Sequence, residues 1–269
     1  MSAKTVTVSG HFGELIQGRL GPTGPVALIT LPCPALTVEA RRAPVHDPHG
    51  LLPPGRARAL LDRLGLPDPG PVALAATMPR GGGAGASTAA LVAYARLAGA
   101  RHDPGDLARA CVAVEGASDP LMFPAPERVL WASRRGEVMA SLPPLPPFDI
   151  VGGFFGPNRR TDPTDDNFPD ISDLLALWTS AAEGADGAAL AALTSRSAAR
   201  CMALRGPGSD PTARLAAEMG ALGHVIAHTG SARGLLFASG TIPPHAPAAL
   251  AARGFRRIIT FRAGGRGEV

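Results

Sequence analysis

The sequence predicts an α+β fold in two parts, and three observations predict it. Strand-like runs come first, at residues 4–9 (KTVTVS), 26–31 and 36–41, before any clear helix. A glycine-rich loop then joins an apolar strand, residues 71–78 (PVALAATM), to a segment with apolar residues at helical spacing, residues 88–100 (TAALVAYARLAGA). A proline cluster, Pro143-Pro144-Leu145-Pro146-Pro147, finally divides the chain, so the expected units are residues 1–147 and 148–269.

Each element follows from local composition. After the first strand, Gly10-His11-Phe12-Gly13-Glu14-Leu15-Ile16-Gln17-Gly18 is punctuated by glycine, where a sharp turn of the backbone is expected. Pro32-Cys33-Pro34 separates the next two strands, and residues 43–55, rich in Pro, His and Gly, form a surface loop. Residues 56–64 make a short helix, 106–115 (DLARACVAVE) a helix with Asp106 near its start, and 128–132 and 137–142 a hairpin around Arg134-Arg135-Gly136. Beyond the prolines, residues 149–155 read as a buried strand and 171–183, 187–204 and 211–222 as three helices. A short strand enters a Gly/Ser/Thr loop at His228-Thr229-Gly230-Ser231 and an apolar strand leaves it. A helix over 244–253, a strand over 256–262 and a frayed tail over 263–269 finish the chain.

Composition narrows the function classes. A length of 269 residues and an apolar fraction of 45% suit a globular protein with one large or two small cores. The net charge of +4 comes almost entirely from arginine, since Lys4 is the only lysine. The arginines are scattered and aromatic residues are scarce, which argues against a nucleic-acid platform and for acidic small ligands such as nucleotides. Cys33, Cys111 and Cys201 are far apart and form no C-x-x-C pair, as expected of reduced core thiols in a cytoplasmic protein. The N-terminus lacks an apolar leader and no long uncharged apolar run occurs, so no membrane association is expected.

The stretch Met78-Pro79-Arg80-Gly81-Gly82-Gly83-Ala84-Gly85-Ala86-Ser87-Thr88 carries the chemistry. A glycine loop opening a helix presents unpaired backbone N–H groups and the positive end of the helix dipole, and glycine lets an oxyanion approach closely. Two other nucleotide motifs fail. Gly81, Gly83 and Ala86 satisfy G-x-G-x-x-A, but no second strand follows to deliver a ribose-binding acid. A P-loop requires a lysine after the glycines, and none is present. A tight packing turn is the remaining non-functional reading.

Pro79-x-x-x-Gly83-Ala84-Gly85-Ala86-Ser87-Thr88-Ala89 resembles the P-x-x-x-G-L-G-S-S-A loop of the GHMP kinases, with Ala84 and Ala86 in place of Leu and the first Ser. Gly13-Glu14-Leu15-Ile16-Gln17-Gly18 resembles the N-terminal signature of the L-threonine kinase branch of that superfamily, with His11 where some relatives have Lys. Glu115 and Ser118-Asp119-Pro120-Leu121-Met122-Phe123 resemble its E-P-[ST]-D-x-x-M-F string, although Glu115 stands one residue away from the family position. His228-Thr229-Gly230-Ser231, followed by Gly234-Leu235, is similar to its H-S-G-S-x-x-G-L string. These resemblances occur in family order.

They imply an N-terminal domain like the second domain of ribosomal protein S5, followed by a ferredoxin-like domain. They further imply that ATP and Mg²⁺ are the cofactors, with residues 79–88 holding the triphosphate and Ser87 and Glu115 sharing the metal. Asp119 would orient or deprotonate the attacking hydroxyl. Glu14, Gln17, Thr161, Asp162, His228, Thr229, Gly230 and Ser231 are the expected substrate contacts, and Arg80 is expected to help neutralise the phosphates. The implied reaction converts L-threonine to O-phospho-L-threonine for cobalamin side-chain synthesis. The alternatives are another kinase of this superfamily acting on homoserine, a sugar or a mevalonate-like alcohol, or a non-catalytic nucleotide sensor. Oligomeric state stays open.

Overall fold

Strand β1 (Thr5–Arg19) runs through the centre of a sheet to which every other strand is attached directly or through a neighbour. The computed structural model describes residues 5–44 and 50–265. Residues 1–4, residues 45–49 of the expected loop and residues 266–269 of the tail lie outside the described residues.

The described residues form nine strands: β1, β2 (Val26–Arg42), β3 (Val72–Ala76), β4 (Val129–Ala132), β5 (Glu137–Ser141), β6 (Phe148–Phe154), β7 (Gly223–Ile226), β8 (Ala232–Ala238) and β9 (Arg256–Ala263). They order as β5-β4-β2-β1-β7-β8-β6-β9, with β3 paired to β2 off that path. Every pairing is antiparallel. Strands β1–β5 therefore occupy one side of the sheet and β6–β9 the other, joined by the pair Glu14↔Ile226 between β1 and β7. The proline run carries the chain from β5 at one edge to β6, with Leu145 buried beneath it.

Two local expectations are corrected. The segment from Gly10 to Gly18 does not leave the sheet; it continues β1, with register shifts that absorb its irregularities. Its glycines answer to close approach instead. A Cβ on Gly10 would lie 2.5 Å from the Ala84 carbonyl oxygen, and one on Gly13, whose φ is +79°, would lie 2.7 Å from the Ile226 carbonyl carbon. Likewise Pro32-Cys33-Pro34 does not separate two strands. It lies within the single strand β2, beside the register shift where the partner of Ser9 is Thr37 and that of Gly10 is Cys33.

Among the described residues seven α-helices cover the sheet: α1 (Pro54–Leu64), α2 (Ala86–Leu97), α3 (Pro104–Glu115), α4 (Ser172–Glu183), α5 (Gly187–Arg205), α6 (Thr212–Glu218) and α7 (Ala246–Ala252). Helix α2 packs against β1 and β2 with α1 and α3 beside it, and α5 packs against β1 and β7. Alanine dominates α2 because the helix is buried on almost every side, from Ala89 through Ala95 without interruption, and small side chains let it lie close to its neighbours. One core extends through both halves, from Leu31 and Leu91 to Phe148 and Leu236. Cys33, Cys111 and Cys201 are buried, unpaired thiols within these cores. No helix among the described residues is long and apolar enough to cross a membrane.

Candidate active site

The glycine loop is shaped by its neighbours. Gly81, Gly83 and Gly85 adopt φ values of 69°, 72° and 76°, the left-handed region that glycine enters without a Cβ penalty. The Gly81 carbonyl accepts from Arg159 N at 2.8 Å, that of Gly82 from Ser231 N and Ala232 N at 3.0 and 2.8 Å, and that of Ala84 from His11 N at 3.2 Å. Three remote segments thus occupy the loop's carbonyls. Gly85 caps α2 in the left-handed conformation and offers no side-chain cap to the N–H groups of the first turn, which lies at a cleft that residues 79–88 line. Those amides and the helix dipole make this end of the cleft a place for phosphate oxygens.

Helix α3 ends beside that turn. Gly116, at φ 81°, terminates the helix and leaves Glu115 as its last residue. The Ser87 hydroxyl donates to Glu115 Oε1, and Arg56 Nη1 from α1 donates to the same oxygen at 3.0 Å. Only 8% of the Glu115 side chain is exposed. Burial pushes its carboxyl pKa up, opposed by the Ser87 hydroxyl and the Arg56 charge. A buried carboxylate oxygen touching a hydroxyl, at the edge of a phosphate cradle, is a hard-oxygen donor set that suits Mg²⁺ and that a cation would stabilise.

A second acid stands beside α2. Asp119 N donates to Thr88 Oγ1 at 3.2 Å, and the Thr88 hydroxyl donates to Asp119 Oδ2 at 3.4 Å. His11 of β1 lies between two carboxylates, with Nε2 3.5 Å from Asp119 Oδ2 and Nδ1 3.5 Å from Glu14 Oε1. All three residues line the cleft. Burial opposes a charged imidazole, but Asp119 and Glu14 outweigh it and raise the His11 pKa to about 9. Burial raises Glu14 to about 8 against the pull of His11. It also disfavours ionisation of Asp119, yet His11 and the Thr88 hydroxyl hold that carboxyl below its ordinary value. At neutral pH the arrangement is an imidazolium between an ionised Asp119 and a protonated Glu14. The donor atoms fall within 4.8 Å of one another. The imidazole ring stands between the two acids, however, which suits a proton-sharing chain better than a common metal.

The remaining wall comes from the β4–β5 turn and the second half. Arg134 Nη1 donates to Ser133 Oγ at 2.7 Å and lies 3.0 Å from His228 Nε2. Burial and the charges of Arg134 and Arg205 hold His228 well below the ordinary histidine pKa, so it accepts as a neutral ring. His228 stacks on Phe168 at 4.0 Å, and the Arg205 guanidinium lies 3.9 Å from the Phe168 ring centroid.

The cleft therefore brings together Pro79, Arg80, Gly81, Gly82, Gly83, Ala84, Gly85, Ala86, Ser87, Thr88, Glu115 and Asp119 from the first half with Thr161, His228 and Thr229 from the second, and Glu14 beneath them. Other expected contacts are placed differently. Gln17 is buried away from the lining, where its side-chain amide donates to the Ile226 carbonyl at 3.1 Å. The Asp162 carboxylate is occupied in its own turn by Thr164 N and Oγ1, at 2.9 and 2.7 Å. Gly230 and Ser231 clamp the loop: a Cβ on Gly230 would lie 2.5 Å from Gly83 N, and the Ser231 hydroxyl donates to Asn158 Oδ1 at 2.7 Å. Sequence reasoning gave no site role to Arg56, Arg134 or Phe168. Their motifs are a helix start, a hairpin turn and an isolated aromatic, and none carries a local signal of ligand contact.

Similar architectures occur among solved structures. Phosphomevalonate kinase from Streptococcus pneumoniae superposes with a TM-score of 0.63 at 14% identity, covering 98% of this chain and 99% of that one. The fold is that of the GHMP kinases. Mevalonate kinase from L. major, solved in complex with R-mevalonate, matches with a TM-score of 0.64 at 15% identity over 99% of this chain and 97% of its own. Homoserine kinase from Cytophaga hutchinsonii gives 0.61 at 16% identity, with 98% and 95% covered. No protein-family model and no curated protein sequence matches the chain.

Proposed function

We propose that this protein is a GHMP-type small-molecule kinase that transfers the γ-phosphoryl group of ATP to the hydroxyl of a small alcohol. The observation that carries the proposal is the meeting of Ser87 with Glu115 at the uncapped start of α2, with Asp119 held against the adjacent Thr88. Phosphoryl transfer asks for charge neutralisation and alignment, and these side chains supply both. Backbone amides of residues 81–88 bind the triphosphate, with Arg80 and Arg56 adding positive charge at the cleft. Ser87 and Glu115 are the protein groups that hold Mg²⁺, which when bound neutralises charge on the phosphates.

Asp119 accepts the proton of the attacking hydroxyl. His11 keeps Asp119 ionised before attack and, as an imidazolium, stabilises negative charge developing on the alcohol oxygen. Glu14 is a positioning residue, protonated at neutral pH and set against His11 Nδ1. The sharp shift between β5 and β6 suits a domain boundary within the proline run, giving units 1–147 and 148–269.

Within this class we propose L-threonine as the acceptor, on the strength of the Gly13–Gly18 string and the His228–Ser231 segment. Homoserine and mevalonate are the rival acceptors, suggested by the structural likenesses. A coupled ADP-release assay with L-threonine, L-serine, L-homoserine and R-mevalonate tests both levels. Turnover with threonine far above the others supports the finer reading. Turnover with another alcohol retains only the kinase, and no ADP release with any alcohol in the presence of ATP and Mg²⁺ overturns the kinase itself.

A further inference from the structure

The acceptor side of the cleft holds a cation with which no acid among the described residues is directly paired. The hydrogen-bond partners of the Arg134 guanidinium are Ser133 Oγ, His228 Nε2 and the Asp165 backbone carbonyl, the last at 3.3 Å. All three are neutral. The nearest acids are committed elsewhere, Asp165 to Arg205 and Asp119 to His11 and Thr88. Arg134 Nε is buried without a partner. A guanidinium partly withdrawn from water gains most from an anion that meets its fork, and a carboxylate matches that geometry in two parallel bonds.

Its position decides which anion. Arg134 shares its wall with Ser133, His228 and Asp119, whereas Ser87, Glu115 and Arg56 gather at the mouth of α2. Asp119 is among the charges that act on Arg134, and Arg134 helps hold Asp119 ionised. The His228 side is fixed by stacking on Phe168, which keeps Nε2 aimed at Arg134 and orients the guanidinium. We propose that Arg134 is the anion anchor of the acceptor subsite, so that the alcohol phosphorylated here carries a carboxylate and belongs to the small hydroxy acids or hydroxy amino acids, not the neutral sugars. This rests on the kinase reading and narrows it.

The test compares acceptors with and without a carboxylate, with two variants, R134K and R134Q, whose folding is checked by circular dichroism. In ADP release, L-threonine is compared with L-threoninol, and R-mevalonate and L-homoserine with galactose. The expected result is a kcat/KM at least about 100-fold higher for a carboxylate acceptor than for its neutral counterpart. In R134Q the acceptor KM rises at least about 30-fold while the KM for ATP stays within about twofold, and R134K recovers part of the loss. Neutral acceptors used equally well, or a change in R134Q confined to the ATP KM, overturns the anchor.

Calorimetric titration of the same acids into the protein with a non-hydrolysable ATP analogue and Mg²⁺ separates the two readings. Binding of an acid that R134Q abolishes, without ADP release from any acceptor, retains the anchor and removes the kinase. Absence of binding by every acid, with phosphorylation of a neutral alcohol, removes the anchor and retains the kinase.

Discussion

Glu14 provides the sharpest quantitative test because its state is set by burial rather than by its own chemistry. The side chain is 1% exposed, its closest charged neighbour is His11 Nδ1 at 3.5 Å, and the Thr30 hydroxyl offsets only part of the cost of burial. The folded-state pKa of about 8 lies above the ordinary 4.5, so the native protein binds a proton that the unfolded chain has released throughout that interval. Stability from this group is complete below pH 4.5 and is lost as the pH rises toward 8. The slope is about 1.4 kcal/mol per pH unit, or at most about 5 kcal/mol over the whole interval.

Glu14→Gln replaces the protonated acid by a neutral group of the same shape and removes that dependence. Urea denaturation of both proteins at intervals from pH 5 to pH 8 yields a difference curve from which all other titrations largely cancel. We expect the variant to gain on the wild type steadily as the pH rises. Above pH 8 the difference levels off, since Glu14 is then ionised in the native protein as well as in the unfolded chain. A flat difference from pH 5 to pH 8 would mean that Glu14 is ionised in the native protein, and the proton-sharing chain with His11 and Asp119 would be wrong.

Four further outcomes follow, three from the site and one from a glycine outside it. Ser87→Ala should lower kcat at least tenfold, about 1.4 kcal/mol of barrier, and raise the Mg²⁺ concentration needed for half-maximal rate, with thermal melting unchanged; normal kinetics would remove Ser87 from the mechanism. Asp119→Asn should reduce turnover much more than ATP affinity, as measured by initial rates beside nucleotide titration, and the opposite pattern would assign Asp119 to nucleotide binding. Gly83→Ala would set a Cβ 2.1 Å from the Thr229 carbonyl oxygen at a φ of 72°, and should cost about 2 kcal/mol or more in urea denaturation. Gly21→Ala, at φ 78° with no atom within 4 Å of the added carbon, isolates the backbone strain and should cost only about 1 kcal/mol.

The elements that were legible in the sequence are those whose causes are local. Left-handed glycines before an alanine-rich helix mark a loop and a helix start whatever surrounds them, and α2 begins at Ala86, within two residues of the expectation. The helices after the proline run are legible for the same reason, since helical spacing of apolar residues is contained in a dozen positions. Glu115 was expected to meet Ser87 only through the family resemblance, and its one-residue displacement matters along the chain, not in space. Gly116 ends α3 at the point that brings the carboxylate to Ser87.

The strands were less legible because their glycines answer to the fold. Gly10, Gly13 and Gly18 read as turn signals, yet each is glycine because a carbonyl from residue 84, 226 or 169 passes within 3 Å of where a Cβ would stand. No local pattern distinguishes a glycine that bends the chain from one that lets another chain segment approach. Composition and spacing thus indicated a glycine loop opening a buried helix, and the family resemblance pointed to Glu115 and Asp119 as the acids downstream of it. Tertiary structure alone decided that His11 stands between Glu14 and Asp119 and that Arg134 faces His228, since residues about 100 positions apart meet only when the sheet closes. Burial then assigns their charges, because a proton's place in such a group depends on neighbours and water exclusion that the linear order does not contain.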